Sequence, residues 1–152
     1  MNETICTMLM LSRLEAGKIV PESLEVSLQQ IIETVIDEQK NSTQATQKIV
    51  HKNANKKQVI QTDERLLKEV INSLLNNAIK YTKRNGKIIV SVEYDSENAI
   101  IHIQDNGAGI PQREKKKVFT KFFRASNIAD KKTVGSGLAL YLDYSLVDKL
   151  HG

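Results

Sequence analysis

Apolar residues at Leu66, Leu67, Val70, Ile71, Leu74, Leu75, Ala78 and Ile79 follow Thr62-Asp63 at helical spacing. They predict a helix that runs to about Tyr81, capped by Thr62 or Asp63. Leu28, Ile31, Ile32, Val35 and Ile36 give a second buried face, over about residues 28–41. Ile5, Met8, Leu9, Leu11 and Leu14 predict a helix near the N-terminus that Gly17 stops. Short strands are expected at Leu24-Val26 and at Ile49-Val50, the latter in a polar stretch from Asn41 to Lys57. Asn85-Gly86 is a turn dipeptide. The alternating runs Lys87–Tyr94 and Ala99–Gln104 then read as an antiparallel hairpin closed through Asp95–Asn98. No single period persists from Asp105 to Val134, although Gln112–Phe123 has room for a helical turn or two, and a last helix is expected from near Ser136 to Leu150. Strands and helices mix without βαβ alternation, which predicts an α+β fold with helices on one face of a mixed sheet.

Composition narrows the classes. The chain has 152 residues, with 22 Lys+Arg against 18 Asp+Glu. That predicts one domain with at most a short appendage, and a basic excess too small and scattered to point to nucleic acid. No run approaches the roughly 18 apolar residues of a membrane span, and the N-terminus lacks a signal-peptide pattern. The single cysteine, Cys6, provides neither an internal disulfide nor a cysteine-rich metal site, which suits a reducing cytoplasm.

Four segments carry candidate chemistry. On the helix ending at Tyr81, Ser73, Asn77 and Lys80 share a polar stripe. The amide oxygen of Asn77 suits magnesium and Lys80 suits phosphate oxygens, though a solvated face needs the same letters. Asp105-Asn106-Gly107-Ala108-Gly109-Ile110-Pro111 follows a strand. Its glycines allow close approach to a flat ligand, and Asp105 can accept from an exocyclic amine such as that of adenine; a plain turn is the alternative. Val134-Gly135-Ser136-Gly137-Leu138-Ala139-Leu140 opens a helix, where backbone N–H groups can receive phosphates or Ser136-Gly137 can simply cap. Between the glycine pairs lie all three phenylalanines, Phe119, Phe122 and Phe123. They can pin a mobile loop to the body, with Lys121 and Arg124 near enough in sequence to reach phosphates. Lys115–Lys117 read as solvated charge.

In this order and spacing the four segments resemble the ATP-binding domain of bacterial sensor histidine kinases. Asn77-Ala78-Ile79-Lys80-Tyr81 is similar to the family's asparagine box, and Asp105–Pro111 to its first glycine box. Phe119–Arg124 is similar to its phenylalanine box and Gly135–Leu140 to its second glycine box. Leu11–Lys18 resembles the end of the dimerisation hairpin, so residues 1–20 are expected to be that hairpin's end with a connector, and 21–152 the catalytic domain. The resemblance implies a two-layer α/β sandwich of the Bergerat type, binding ATP with Mg2+ beneath a lid of about Gly107–Val134. It implies that Asn77 ligates the metal, Lys80 and Arg124 contact phosphates, Tyr81 lies against the base and Asp105 reads the adenine amine. It adds nucleotide contacts at Gly107, Gly109, Ile110, Lys121, Gly135, Ser136, Gly137 and Leu138. The implied partners are a dimerisation domain carrying the phosphoacceptor histidine, a second copy of the kinase through that domain and, indirectly, a response regulator. The implied location is cytoplasmic, with an upstream membrane anchor compatible.

The sequence also departs from the family pattern. Ser73 stands where a second asparagine is usual, with Asn72 displaced by one, and Ala139 replaces the last glycine. Gyrase-like and chaperone-like relatives place there a glutamate that activates water; Ser73 is no base at neutral pH, so hydrolysis is disfavoured. Ser73 and Ala139 also motivate an alternative, a degenerate nucleotide or interaction module without kinase activity. His51 and His102 fall on expected strands and His151 after the last helix, so an acceptor histidine is expected elsewhere. The family continues with two closing strands beyond the point matched by Gly152, which predicts a fragment.

Overall fold

The computed structural model describes residues 3–42, 46–52, 59–129 and 135–152. They form two compact units. One is residues 23–109, and the other joins residues 1–22 to 110–152.

The first unit is layered. Strand β1 (Leu24–Ser27) runs straight into helix α1 (Leu28–Ser42), and β2 (Lys48–Lys52) and β3 (Val59–Thr62) follow. Helix α2 (Glu64–Tyr81) leads to the expected hairpin of β4 (Lys87–Tyr94) and β5 (Ala99–Asp105). β1 and β3 make an antiparallel pair, and β2, β4 and β5 make a mixed sheet in that order, β2 parallel to β4 and β4 antiparallel to β5. Alternation on β4 buries Ile88, Val90 and Val92. They join Leu28, Ile31, Ile32, Val35 and Ile36 of α1 with Ile71, Leu75 and Ala78 of α2 in one core. Each large side chain buried there contributes about 1.5–3 kcal/mol before entropy is counted. The α+β expectation therefore holds. β3 was not expected: its four residues follow a polar stretch and gain their pattern only by pairing with β1, as in Val26 opposite Ile60.

Helix α2 starts where Asp63, not Thr62, caps it, its Oδ1 accepting the Leu66 N–H at 3.0 Å. At its other end the carbonyls find partners in loops. The Thr82 N–H bonds to Ala78 O at 3.1 Å, and Gln47 Nε2 donates to Ile79 O at 3.1 Å and Thr82 O at 2.9 Å. Such partners are what a helix end requires when it is drawn into a core.

The second unit holds helix α3 (Glu3–Glu15), a 3₁₀ turn at Gln112–Lys117, the short α4 (Ser126–Ala129) and α5 (Ala139–Lys149). Leu11, Ala125, Leu138, Leu142 and Leu146 are its buried apolar residues. α3 ends in a Schellman turn. Gly17 has φ +66°, with Lys18 N–H bonded to Arg13 O at 2.9 Å and Gly17 N–H to Leu14 O at 3.0 Å. Ile5, Met8 and Leu9 of this helix are exposed, so its apolar spacing does not make a buried face within the described chain. The last helix starts at Ala139 rather than near Ser136, because Gly137 adopts a left-handed φ of +70°.

Candidate functional site

Within residues 23–109 the asparagine-bearing helix and the first glycine turn are joined directly. The Ala108 N–H bonds to Tyr81 O at 3.2 Å, so the turn sits on the end of α2. A Cβ at Gly107 would collide with that same carbonyl, which explains glycine there without a ligand. Asp105 Oδ1 accepts the Gly107 N–H at 2.8 Å and braces the turn, with the rest of its carboxylate on the exposed surface. Asn106 ties the turn to the sheet, its Oδ1 accepting the Lys87 N–H at 2.8 Å. Gly109 is different: with φ +67° and nothing within 4 Å of a notional Cβ, it borders open space. Asn77 and Tyr81 are half-buried on α2, and Lys80 Nζ lies 5.6 Å from the Tyr81 ring centre. Asn72 points elsewhere in chemical terms. Its Oδ1 accepts from Gln39 Nε2 of α1 at 2.7 Å, so the displaced asparagine serves helix packing.

In the unit of residues 1–22 and 110–152 the phenylalanine segment and the second glycine pair are also joined. The Phe122 N–H bonds to Gly137 O at 2.9 Å. A Cβ at Gly137 would lie 2.7 Å from the Phe122 carbonyl carbon and 2.8 Å from Phe123 O. The phenylalanines of this segment are placed in two ways. Phe122, at φ +63°, exposes its ring and docks by its backbone, while the Phe119 ring meets that of Tyr144 at 5.5 Å between centres. Ser136 does not cap α5; its Oγ accepts the Leu138 N–H at 3.4 Å, ahead of the helix. Gly135 and Leu138 sit at the same helix entry, Leu138 buried. Ile110 is exposed. Arg124 is half-buried, with Nη2 donating to Ile128 O at 3.5 Å. Lys121 is paired with Glu15 and lies 5.0 Å from the Tyr141 ring centre. Residues 130–134 of the expected lid lie outside the described residues.

Residues 62–152 match the family model described as Histidine kinase-, DNA gyrase B-, and HSP90-like ATPase. The chain belongs to that family. Among its relatives, Sensor protein CiaH of Streptococcus pneumoniae is 38% identical over 93 residues, 61% of this chain and 21% of CiaH. The circadian input-output histidine kinase CikA of Synechococcus elongatus is 30% identical over 153 residues, 99% of this chain and 20% of CikA. The solved catalytic domain of histidine kinase ThkA superposes with a TM-score of 0.72 at 25% identity, covering 85% of this chain and 82% of that domain. The chain thus spans about a fifth of the length of these curated relatives, and its fold is that of a histidine kinase ATP-binding domain.

The donor chemistry fits the family's nucleotide. A glycine turn that opens on free space at Gly109, next to the strand-end carboxylate of Asp105, suits a planar base and its amine. No group of three or more His, Cys, Asp or Glu able to hold a metal exists among the described residues. The amide oxygen of Asn77 is the kind of hard ligand that suits magnesium arriving with phosphates and keeping its waters. An open groove of about 460 Å³ elsewhere, lined by Glu38, Glu64, Arg65, Lys68, Glu69 and Asn72, holds none of the candidate residues. Sequence reasoning missed Gln47, which caps α2, and Glu15; both act on residues distant in the chain, with no local signal.

Proposed function

We propose that this chain is the Mg·ATP-holding catalytic domain of a two-component sensor histidine kinase, presenting the γ-phosphate to a histidine on a dimerisation domain. The docking of the Gly107–Gly109 turn on the end of α2 carries the reading, since it gathers Asn77, Tyr81 and Asp105 on one scaffold. In this reading Asp105 accepts the adenine amine, Tyr81 lies against the base, and Gly107, Gly109 and Ile110 line its approach. Lys80, Lys121, Arg124 and the N–H groups of Gly135–Leu138 neutralise phosphates. Magnesium, oriented by Asn77, would screen charge between the phosphates. Residues 1–20 would be the end of the dimerisation hairpin, a role supported by the exposed Ile5, Met8 and Leu9, which a second copy of the parent kinase would cover. The phosphoryl group would pass onward to a response regulator. No described helix is long and apolar enough to cross a membrane, and a cytoplasmic place for this portion follows from its use of ATP.

Calorimetry tests the site. Asp105→Asn keeps the oxygen that braces Gly107 but loses the charge, and should weaken ATP binding by about 1.5–3 kcal/mol. Equal affinity for ATP and GTP would sink the assignment of Asp105. Asn77→Ala should reduce the magnesium dependence of binding with helix content intact. Labelled ATP should leave no acid-labile phosphate on the isolated chain, because in-line positioning of an acceptor is what phosphoryl transfer demands; phosphohistidine at His51, His102 or His151 would contradict the donor role. The alternative, an interaction module with a decayed pocket, is favoured by Ser73 and by the commitment of Asn72 to Gln39, and predicts no nucleotide binding.

A further inference from the structure

Lys80 and Lys121 are both enlisted for phosphates, yet they are held differently. Lys80 lies beside the ring of Tyr81, whereas Lys121 is bonded to the carboxylate of Glu15, a residue more than a hundred positions earlier in the chain. Both ends of that bond are anchored. Glu15 is the last residue of α3, fixed by the Schellman turn at Gly17. Lys121 precedes Phe122, whose N–H is tied to Gly137 O, and its ammonium also lies over the Tyr141 ring near the start of α5. A carboxylate is thus built against a cation that sits beside the glycine-rich entry of a helix. The hydrogen bond to Glu15 holds the Lys121 ammonium above its ordinary pKa, so the cation stays charged throughout the neutral range.

We infer that Glu15 is a built-in competitor for Lys121: the end of α3 occupies the ammonium until nucleotide phosphates displace it. This rests on the nucleotide reading above and adds its regulation. Phosphate bound to Lys121 frees Glu15, and anything that draws α3 away frees Lys121, so α3 and the nucleotide oppose one another. Thermodynamic reciprocity makes the two effects equal in size. The pair is surface-accessible, with 39% and 48% of the two side chains exposed. Exposed pairs are worth little, so the expected effect is a modest one, about 1.5- to 5-fold in affinity.

The test is a double-mutant cycle on the full chain, titrating Mg·ADP at low ionic strength. Glu15→Gln should bind about 1.5- to 5-fold more tightly than the parent chain. Lys121→Met should bind more weakly, and adding Glu15→Gln to it should bring no gain. Raising the salt should shrink the gap between the parent chain and Glu15→Gln, since screening weakens exposed pairs; a general change in packing would not show that dependence. Glu15→Asp, which keeps the charge, should return affinity toward the parent value. Equal binding by the parent and Glu15→Gln, or a gain that persists without Lys121, would overturn the competition while leaving the nucleotide site standing. A parent chain that binds no nucleotide would overturn both.

Discussion

Residues 23–109 and the unit formed from 1–22 with 110–152 place their candidate side chains by different means. In the first, Asn77, Lys80 and Tyr81 ride on an eighteen-residue helix whose apolar face is sealed against a sheet, and Asp105 ends a strand. In the second, Lys121, Phe122 and Gly137 are placed by turns, left-handed backbone and one backbone bond across a close approach. Regular structure fixes position through many small contacts, whereas a turn depends on a few residues that cannot be exchanged. The two designs should therefore fail differently.

The largest effects test whether the units stand apart. Leu75 and Leu146 are both fully buried, one in each unit. Truncating either to alanine should cost about 2–5 kcal/mol. Hydrogen exchange should show protection lost first in the unit that carries the change. Equal loss in both units from either variant would break the distinction and make the chain one cooperative body.

Glycine replacements sharpen the contrast between packing and open space. Gly109→Ala has only its left-handed backbone to pay for, about 1–2 kcal/mol. Gly137→Ala meets Phe122 and Phe123 as well and should cost about 1–3 kcal/mol more. Urea denaturation of the two variants checks the order, and equal costs would mean that the phenylalanine segment yields easily.

Helix entry gives a smaller difference. Asp63→Ala removes a true cap and should cost about 1 kcal/mol. Ser136→Ala, outside the first turn of α5, should stay within about 0.5 kcal/mol. A thermal melt in which Ser136→Ala proves as damaging as Asp63→Ala would restore Ser136 as a structural cap.

The smallest effects concern pH and separate the units again. Burial holds the His51 imidazole below its ordinary 6.5, against an opposing pull from Glu33. Its contribution is complete above that value and is lost as the pH falls through the lowered one. Glu114 is held below its ordinary 4.5 by the Ser126 hydroxyl and then by the Ser126 N–H, at 2.7 and 2.9 Å. Its contribution is present above 4.5 and is lost only in stronger acid, through its own lowered value. Exchange rates followed downward in pH should loosen the strand around His51 before the start of α4. The reverse order would contradict both assignments.

How much of this was legible follows from where each signal lies. Helices α1 and α2 and the β4–β5 hairpin were readable because their apolar periods and their turn residues, Asn85-Gly86 and Asp95–Asn98, are local. β3 was not, since Val59–Thr62 becomes a strand only through β1. Nor was α4, whose four residues are organised by Glu114 from outside the helix. The glycine turns were found in sequence, but their reason was only half seen. Gly107 and Gly137 are required by Tyr81 and Phe122 before any ligand enters, whereas Gly109 faces open space. Ser73 and Asn72 read as a displaced motif, and the partner that occupies Asn72, Gln39, lies a helix away.

One unit is a continuous stretch of chain, while the other is assembled from both sides of it. That division imposes an order on synthesis. Residues 23–109 leave the ribosome as a complete set of packing partners and can fold as a unit while the remainder is still being made. Helix α3 emerges before them, yet its packing partner α5 is translated only after them. A helix made before that core finds its place only after it, and on nascent chains halted after Gly109 a protease should cut within α3 while sparing the core around Leu75.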